Sequence, residues 1–184
     1  MIIHTLGPEA TDSCQAARYY LKENAVCGRV QLHCRFEEII DHLMDYPGDY
    51  FVIPAAFKSY RAHIDWADFH YAHLDQLTLI SCFRYRLNTL VLIRRQNAAN
   101  KIAYTHPSTT ALLENYMQQA NVQPLIKYTD SKYLAYQQYN ETKAQYVITN
   151  QQNIRLTSQE KIERTYTPDM IWCLYKIKNE NQVK

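Results

Sequence analysis

Glycine is almost missing from this chain of 184 residues: Gly7, Gly28 and Gly48 are the only three. Neither a G-x-G-x-x-G fingerprint nor a P-loop can be written with them, which removes most nucleotide-dependent enzymes. No window approaches the roughly 20 apolar residues of a membrane span, and no charged segment leads into an apolar core at the N-terminus. Lys and Arg exceed Asp and Glu by only two, and no basic run exceeds Arg94-Arg95. A nucleic-acid-binding stripe and a polybasic membrane anchor are therefore not expected. The five cysteines, Cys14, Cys27, Cys34, Cys82 and Cys173, are odd in number, scattered and without C-x-x-C spacing. That set argues against a zinc site and a disulfide framework, and buried or half-buried free thiols are expected. The expected setting is the cytoplasm.

What is present begins with a hydrophobic content of 47%, enough for one full core or two small ones. The most telling stretch is residues 4–18, His-Thr-Leu-Gly-Pro-Glu-Ala-Thr-Asp-Ser-Cys-Gln-Ala-Ala-Arg. A short strand passes through Gly7-Pro8 into a helix whose first turn carries Thr11, Asp12 and Ser13. Hydroxyls and N–H groups at a helix start suit a carboxylate or phosphate. A second such start, His106-Pro107-Ser108-Thr109-Thr110-Ala111, follows the β-like run Ile102-Ala103-Tyr104. Two such turns suggest a small acid held between two lobes.

Periodicity predicts strand Ile2–Thr5, helix Thr11–Glu23, strand Arg29–His33, helix Phe36–Met44 and strand Tyr50–Ile53, closed by Pro54. The segment from Phe57 to Asp75 reads as irregular or short-helical. Two β-like runs, Leu77–Arg84 and Leu87–Arg94, mark passage into a second lobe. That lobe repeats the alternation: strand Lys101–Tyr104, helix Ser108–Gln119, strand Pro124–Tyr128, helix Ser131–Asn140 and strand Gln145–Ile148. Glu163–Tyr166 and Ile171–Ile177 alternate as strands and are expected to return to the first lobe. Lobe 1 is thus placed at about 1–82 plus 160–184, and lobe 2 at about 83–159.

In this order the chain resembles, along essentially its whole length, the catalytic domain of the prephenate dehydratase superfamily. The resemblance implies a two-lobed α/β fold of the type 2 periplasmic-binding-protein kind, without an ACT regulatory domain. Thr5-Leu6-Gly7-Pro8-Glu9-Ala10-Thr11-x-Ser13 is similar to the family's G-P-x-G-T-x-S opening, with Ala10 where glycine is usual. Ser108-Thr109-Thr110-Ala111 stands like its second-lobe serine-threonine turn. Two signatures differ. Where dehydratases carry proline-isoleucine-glutamate-asparagine-serine, this chain reads Ile53-Pro54-Ala55-Ala56-Phe57-Lys58-Ser59, and Ile171-Trp172-Cys173 falls where threonine-arginine-phenylalanine is expected. The same losses occur in the prephenate decarboxylase group known from bacilysin synthesis. The chain is similar to that group also in Cys82-Phe83-Arg84, His106-Pro107-Ser108, Thr149-Asn150 and Trp172-x-Leu174-Tyr175.

The resemblance implies a cofactor-free and metal-free carboxy-lyase acting on prephenate, a ring dienol with one ring carboxylate and a pyruvyl side chain. Without the acid that expels the 4-hydroxyl, carbon dioxide leaves while a proton reaches a ring carbon, giving a dihydro-4-hydroxyphenylpyruvate for secondary metabolism, such as antibiotic synthesis. Thr11 and Ser13 are expected to hold one carboxylate and Ser108, Thr109 and Thr110 the other. Arg84 is the expected bidentate clamp. His106, the ionisable side chain of the second turn, and Glu9 compete as proton source. The alternatives are a dehydratase with a replacement acid, giving phenylpyruvate, and a non-catalytic module that binds a small acid.

Each candidate also has a plainer reading. Thr11, Ser13 and Ser108 suit helix caps, Arg84 a surface position and His106 a loop. His63, His70 and His73 with Asp65, Asp68 and Asp75 match no metal-ligand spacing, so an aromatic surface loop is expected there. Tyr133, Tyr136 and Tyr139 at three-residue spacing suit a packed helix face or the contact of a homodimer.

Overall fold

The computed structural model describes residues 1–179, so the part of the expected first lobe at 180–184 lies outside the described residues. The chain divides into two compact units. The first comprises Met1–Lys58, Ala62–Arg86 and the described residues from Asp169 onward; the second comprises Ser59–Arg61 and Leu87–Pro168.

In the first unit β1 (Ile2–Leu6), β2 (Arg29–His33), β3 (Tyr50–Pro54), β6 (Leu77–Arg84) and β12 (Ile171–Ile177) form one sheet in the order β2-β1-β3-β12-β6. β1 runs parallel to β2 and β3, whereas β12 is antiparallel to β3 and β6. Helix α1 (Asp12–Glu23) links β1 to β2 and buries, besides Asp12, the small residues Ser13, Cys14, Ala16 and Ala17 of its first half. A helix shaved in this way lies close to its sheet. Helices α2 (Phe36–Asp41) and α3 (Trp66–Ala72) belong to a core containing Phe36, Ile39, Leu43, Phe51, Phe57, Phe69 and Tyr175. Its rings meet edge-on, as at Phe51–Phe69 with centroids 5.6 Å apart. The two-residue strands β4 (Lys58–Ser59) and β5 (Ile64–Asp65) precede α3 in the segment expected to be irregular.

The second unit repeats the scheme. β7 (Leu90–Arg95), β8 (Ile102–Thr105), β9 (Leu125–Tyr128), β10 (Tyr146–Asn150) and β11 (Glu160–Tyr166) form a sheet in the order β11-β7-β10-β8-β9. β8 is parallel to β9 and β10, and β7 is antiparallel to β10 and β11. Leu90-Val91-Leu92-Ile93 is apolar throughout because both faces of β7 are covered. Leu90 and Leu92 pack on the side of α4 (Thr110–Ala120), while Val91 and Ile93 pack on that of α5 (Lys132–Thr142).

Several boundaries differ from the sequence reading. β11 does not return to the first unit but pairs with β7 from Glu160 to Tyr166. Ile162 packs against the α5-side core, and Arg94 and Arg95 bind Glu163 and Glu160 at 2.7 and 2.8 Å. Phe83–Arg86 stay with the first unit, because Phe83 and Arg84 pair with Trp172 and Ile171, and Tyr19 stacks near Tyr85. β3 ends at Pro54, as read, but includes it, opposite Trp172. Helix Phe36–Met44 breaks after Asp41 into a short 3₁₀ turn, Leu43–Asp45, and another 3₁₀ turn, Pro107–Thr109, precedes α4. Among the described residues no helix is long and apolar enough to cross a membrane.

Candidate functional site

Both hydroxyl-bearing turns fall at carboxyl ends of parallel strands, where open α/β sheets take their ligands. In the first unit the Gly7 N–H donates to His33 O at 2.8 Å. A Cβ on Gly7 would lie 3.0 Å from Leu32 Cβ, so a side chain there would crowd β2 unless Leu32 shifted by a few tenths of an ångström. The Gly7–Pro8 peptide is cis, and Ala10, where the resembled opening has glycine, does not adopt a positive φ. Thr11 caps α1: its hydroxyl donates to Leu6 O at 2.8 Å and accepts from Cys14 N–H at 3.2 Å. Asp12 and Ser13 are buried beside it. Glu9 points away into solvent and pairs with Arg18 at 2.8 Å.

Arg84 ends β6, where its guanidinium meets Asp169 at 2.7 Å, and Arg86 lies 3.6 Å from the same carboxylate. The hydrogen bond from Arg84 holds the Asp169 carboxyl below its ordinary range. Of Ile171-Trp172-Cys173, the stretch read against threonine-arginine-phenylalanine, Ile171 is exposed and Trp172 and Cys173 are buried in β12, and the Trp172 indole donates to Tyr85 O at 3.1 Å.

The second turn is largely self-satisfied. Thr109 donates to His106 O at 2.9 Å and meets the Thr105 hydroxyl at 2.8 Å, while Thr110 donates to Pro107 O at 2.9 Å. His106 Nδ1 accepts from Ser108 N–H at 3.2 Å, and Ser108 Oγ lies 2.8 Å from the same nitrogen. A backbone N–H only donates, so Nδ1 carries no proton and the neutral ring bears it on Nε2. Burial and then the Lys132 ammonium push the His106 pKa down, to about 3, with Asp130 opposing. At neutral pH His106 is thus a neutral hydrogen-bond donor through Nε2, and full transfer of that proton would leave an imidazolate.

Lys132, at the start of α5, and Asp130, in the β9–α5 turn, had no place in the sequence reading of the site, although Thr129-Asp130-Ser131 follows a predicted strand. Arg61 holds Asp130 through two contacts of 2.9 Å, and Tyr60 lies against Tyr128 with centroids 4.7 Å apart. The second unit therefore gathers His106, Lys132 and Arg61–Asp130 around the carboxyl ends of β8 and β9. A groove of about 380 Å³, lined by Met117, Val122, Pro124 and Ile126 among others, lies at the opposite end of α4.

A polar chain in the first unit also escaped the sequence. Buried His4 on β1 lies 2.9 Å from His33 Nε2 and 3.1 Å from Asp49 Oδ2, and stacks on Tyr46 at 4.1 Å. Burial, then His4, lowers the His33 pKa, with Glu38 opposing. In the segment weighed for metal binding, Asp65 and Asp68 form the capping box of α3, and His70 meets the Tyr175 hydroxyl at 2.9 Å. Among the described residues no group of three or more His, Cys, Asp or Glu side chains is placed to hold a metal ion. Tyr136 and Tyr139 are buried, while Tyr133 is exposed.

Two units with matching strand order define the class: a two-lobed α/β domain of the type 2 periplasmic-binding-protein-like kind, the fold of prephenate dehydratase domains. Among solved structures the chain is similar to prephenate dehydratase from Arthrobacter aurescens in complex with L-Phe, at 12% identity and a TM-score of 0.60 over 97% of this chain and 61% of that one. It is similar to prephenate dehydratase from Staphylococcus aureus at 18% identity and a TM-score of 0.54, covering 96% and 66%. The periplasmic VFT2 domain of Bordetella pertussis BvgS matches at 13% identity and a TM-score of 0.56, covering 96% and 80%. The chain spans less than two thirds of either dehydratase chain. No protein-family model and no curated protein matches the sequence.

Proposed function

We propose that this chain binds a small dicarboxylic acid of the prephenate class and is a cofactor-free lyase that decarboxylates it without making the ring aromatic. The observation that carries the reading is the second-unit turn, where a neutral His106 fixed in its Nε2–H form stands within the field of Lys132. A cation and a neutral N–H donor suit a carboxylate, with Ser108, Thr109 and Thr110 shaping the turn. In the first unit the start of α1, with Thr11 and Ser13, is by itself a second turn suited to a carboxylate. Arg84 contributes on exchanging Asp169 for substrate. Loss of carbon dioxide disperses charge, so a site that binds the departing carboxylate loosely favours the transition state.

A second reading has an observation of its own. Glu9 and Arg84 are both already paired, with Arg18 and Asp169, which fits a module that holds an acid without transforming it. Incubation of the purified chain with prephenate at neutral pH, followed by proton NMR against a protein-free control, separates the outcomes. Loss of carbon dioxide with vinyl and carbinol signals retained supports the decarboxylase. Phenylpyruvate indicates a dehydratase with a replacement acid. Unchanged prephenate with a raised melting temperature supports the binding module, and unchanged prephenate without that rise overturns both readings.

A further inference from the structure

Cys82 and Cys173 lie 91 residues apart in sequence and directly opposite each other on antiparallel strands β6 and β12. Their sulfurs are 3.8 Å apart. Directly opposed residues of an antiparallel pair have Cα atoms about 4.5–5.5 Å apart, inside the range a disulfide spans. Shortening the sulfur separation to the roughly 2.0 Å of a bond therefore calls for side-chain rotation more than strand displacement. A register shift between Leu174 and Tyr175, next to Cys173, adds local freedom.

The two thiols differ. Cys82 is exposed on the edge strand, whereas Cys173 is buried beside Trp66 in the α2–α3 core. Burial, then the neighbouring Cys82, pushes the Cys173 thiol up to about 12, with Trp66 opposing. An external oxidant thus meets Cys82 first; Cys173 stays a protonated thiol at neutral pH, so as it attacks the oxidised Cys82 its proton passes to the departing hydroxide.

We propose that Cys82 and Cys173 form a reversible cross-strand disulfide when the protein meets a hydroperoxide. The Cys82 sulfur attacks the peroxide oxygen, the O–O bond breaks, and one water or alcohol leaves as Cys82 becomes a sulfenic acid. Cys173 sulfur then attacks Cys82 sulfur, the S–O bond breaks, a second water leaves and the S–S bond forms. Two thiols lose two electrons in all and the peroxide gains them. The bond joins the strand that leaves the first unit after Arg86 to the one that re-enters it at Asp169, two residues from Arg84.

The test is brief exposure of the native chain to a few equivalents of hydrogen peroxide, then alkylation in denaturant and peptide mass spectrometry. Expected are two fewer alkylated thiols, a mass lower by about 2 Da before alkylation, and a linked peptide pair containing Cys82 and Cys173, all reversed by dithiothreitol. Tryptophan fluorescence, from Trp66 and Trp172, falls with the same time course. In Cys173→Ser, Cys82 instead gains about 16 or 32 Da as sulfenic or sulfinic acid. Cys27 and Cys34, also exposed, report general reactivity within the same sample. The proposal is overturned if Cys82 gains oxygen in the native chain as it does in Cys173→Ser, if Cys82 joins Cys27 or Cys34 instead, or if every thiol stays open to alkylation.

Discussion

His106 Nδ1 lies 3.2 Å from the Ser108 N–H, and that contact makes the histidine both the cap of its turn and a fixed Nε2–H tautomer. Capping and ligand contact are therefore two faces of one arrangement. His106→Ala is expected to lower stability by about 0.5–2 kcal/mol, as loss of a cap does. His106→Asn, whose carbonyl can accept the same N–H, keeps most of that stability. Urea unfolding of the three proteins checks this, and equal losses in both variants would remove the capping role. If the ring also binds the acid, only the native protein gains melting temperature with prephenate, and His106→Asn keeps the cap but not that rise.

His33 and His106 are both held below the ordinary 6.5 in the folded chain. The unfolded chain then binds more protons below that value, so the stability tied to these rings is complete above pH 6.5 and is lost as pH falls toward the folded pKa, about 3 for His106. Each group contributes a slope of at most about 1.4 kcal/mol per pH unit. Unfolding free energy measured between pH 5 and 6.5, where most carboxylates stay ionised, is expected to fall on acidification, and His33→Asn or His106→Asn to flatten the fall. An unchanged slope in both variants would show that neither ring is held neutral.

Arg95 and Glu160 meet at 2.8 Å with both side chains buried, and the guanidinium also stands over Tyr139 at 4.5 Å. Burial works against the charged Glu160, yet hydrogen bonds from Thr157 and the Arg95 charge leave its carboxyl below the ordinary range. Glu160→Gln or Arg95→Met alone strands a buried charge or donor, with an expected loss of about 3–5 kcal/mol. The double variant is expected to lose less than the sum of the two. A double-mutant cycle in urea decides, and simple additivity would mean that the pair contributes nothing as a pair.

Much of the fold was legible because the strands and helices of each unit carry their own local period. Arg29–His33, Leu77–Arg84 and Ile171–Ile177 stand as read, and α1 starts one residue later. β11 was misplaced because alternation reports that a segment is a strand, not which sheet it joins. The deciding contacts, Arg95–Glu160 and Arg94–Glu163, are 65 and 69 residues apart in sequence. The same distance hid His4–His33–Asp49, spread over β1, β2 and the residue before β3, and Cys82–Cys173 on β6 and β12. The hydroxyl turns were visible as motifs, but their internal hydrogen bonds, and the pairing of Glu9 with Arg18 and Arg84 with Asp169, exist only once the chain is folded.

Lys132 and Asp130 act on His106 with opposite signs, the ammonium lowering its pKa and the carboxylate raising it. Lys132→Ala removes a like charge, so the His106 midpoint is expected to rise; Asp130→Asn removes an opposite charge and releases Arg61 from its 2.9 Å contacts, so the midpoint falls. The imidazole C–H signals in proton NMR, followed against pH, give both midpoints directly. Movement in opposite directions establishes that the three side chains share one field at the ends of β8 and β9. Lys132→Ala should then weaken carboxylate binding several-fold. If neither variant moves the His106 midpoint, burial alone sets it, and Lys132 has no part in holding an acid at this turn.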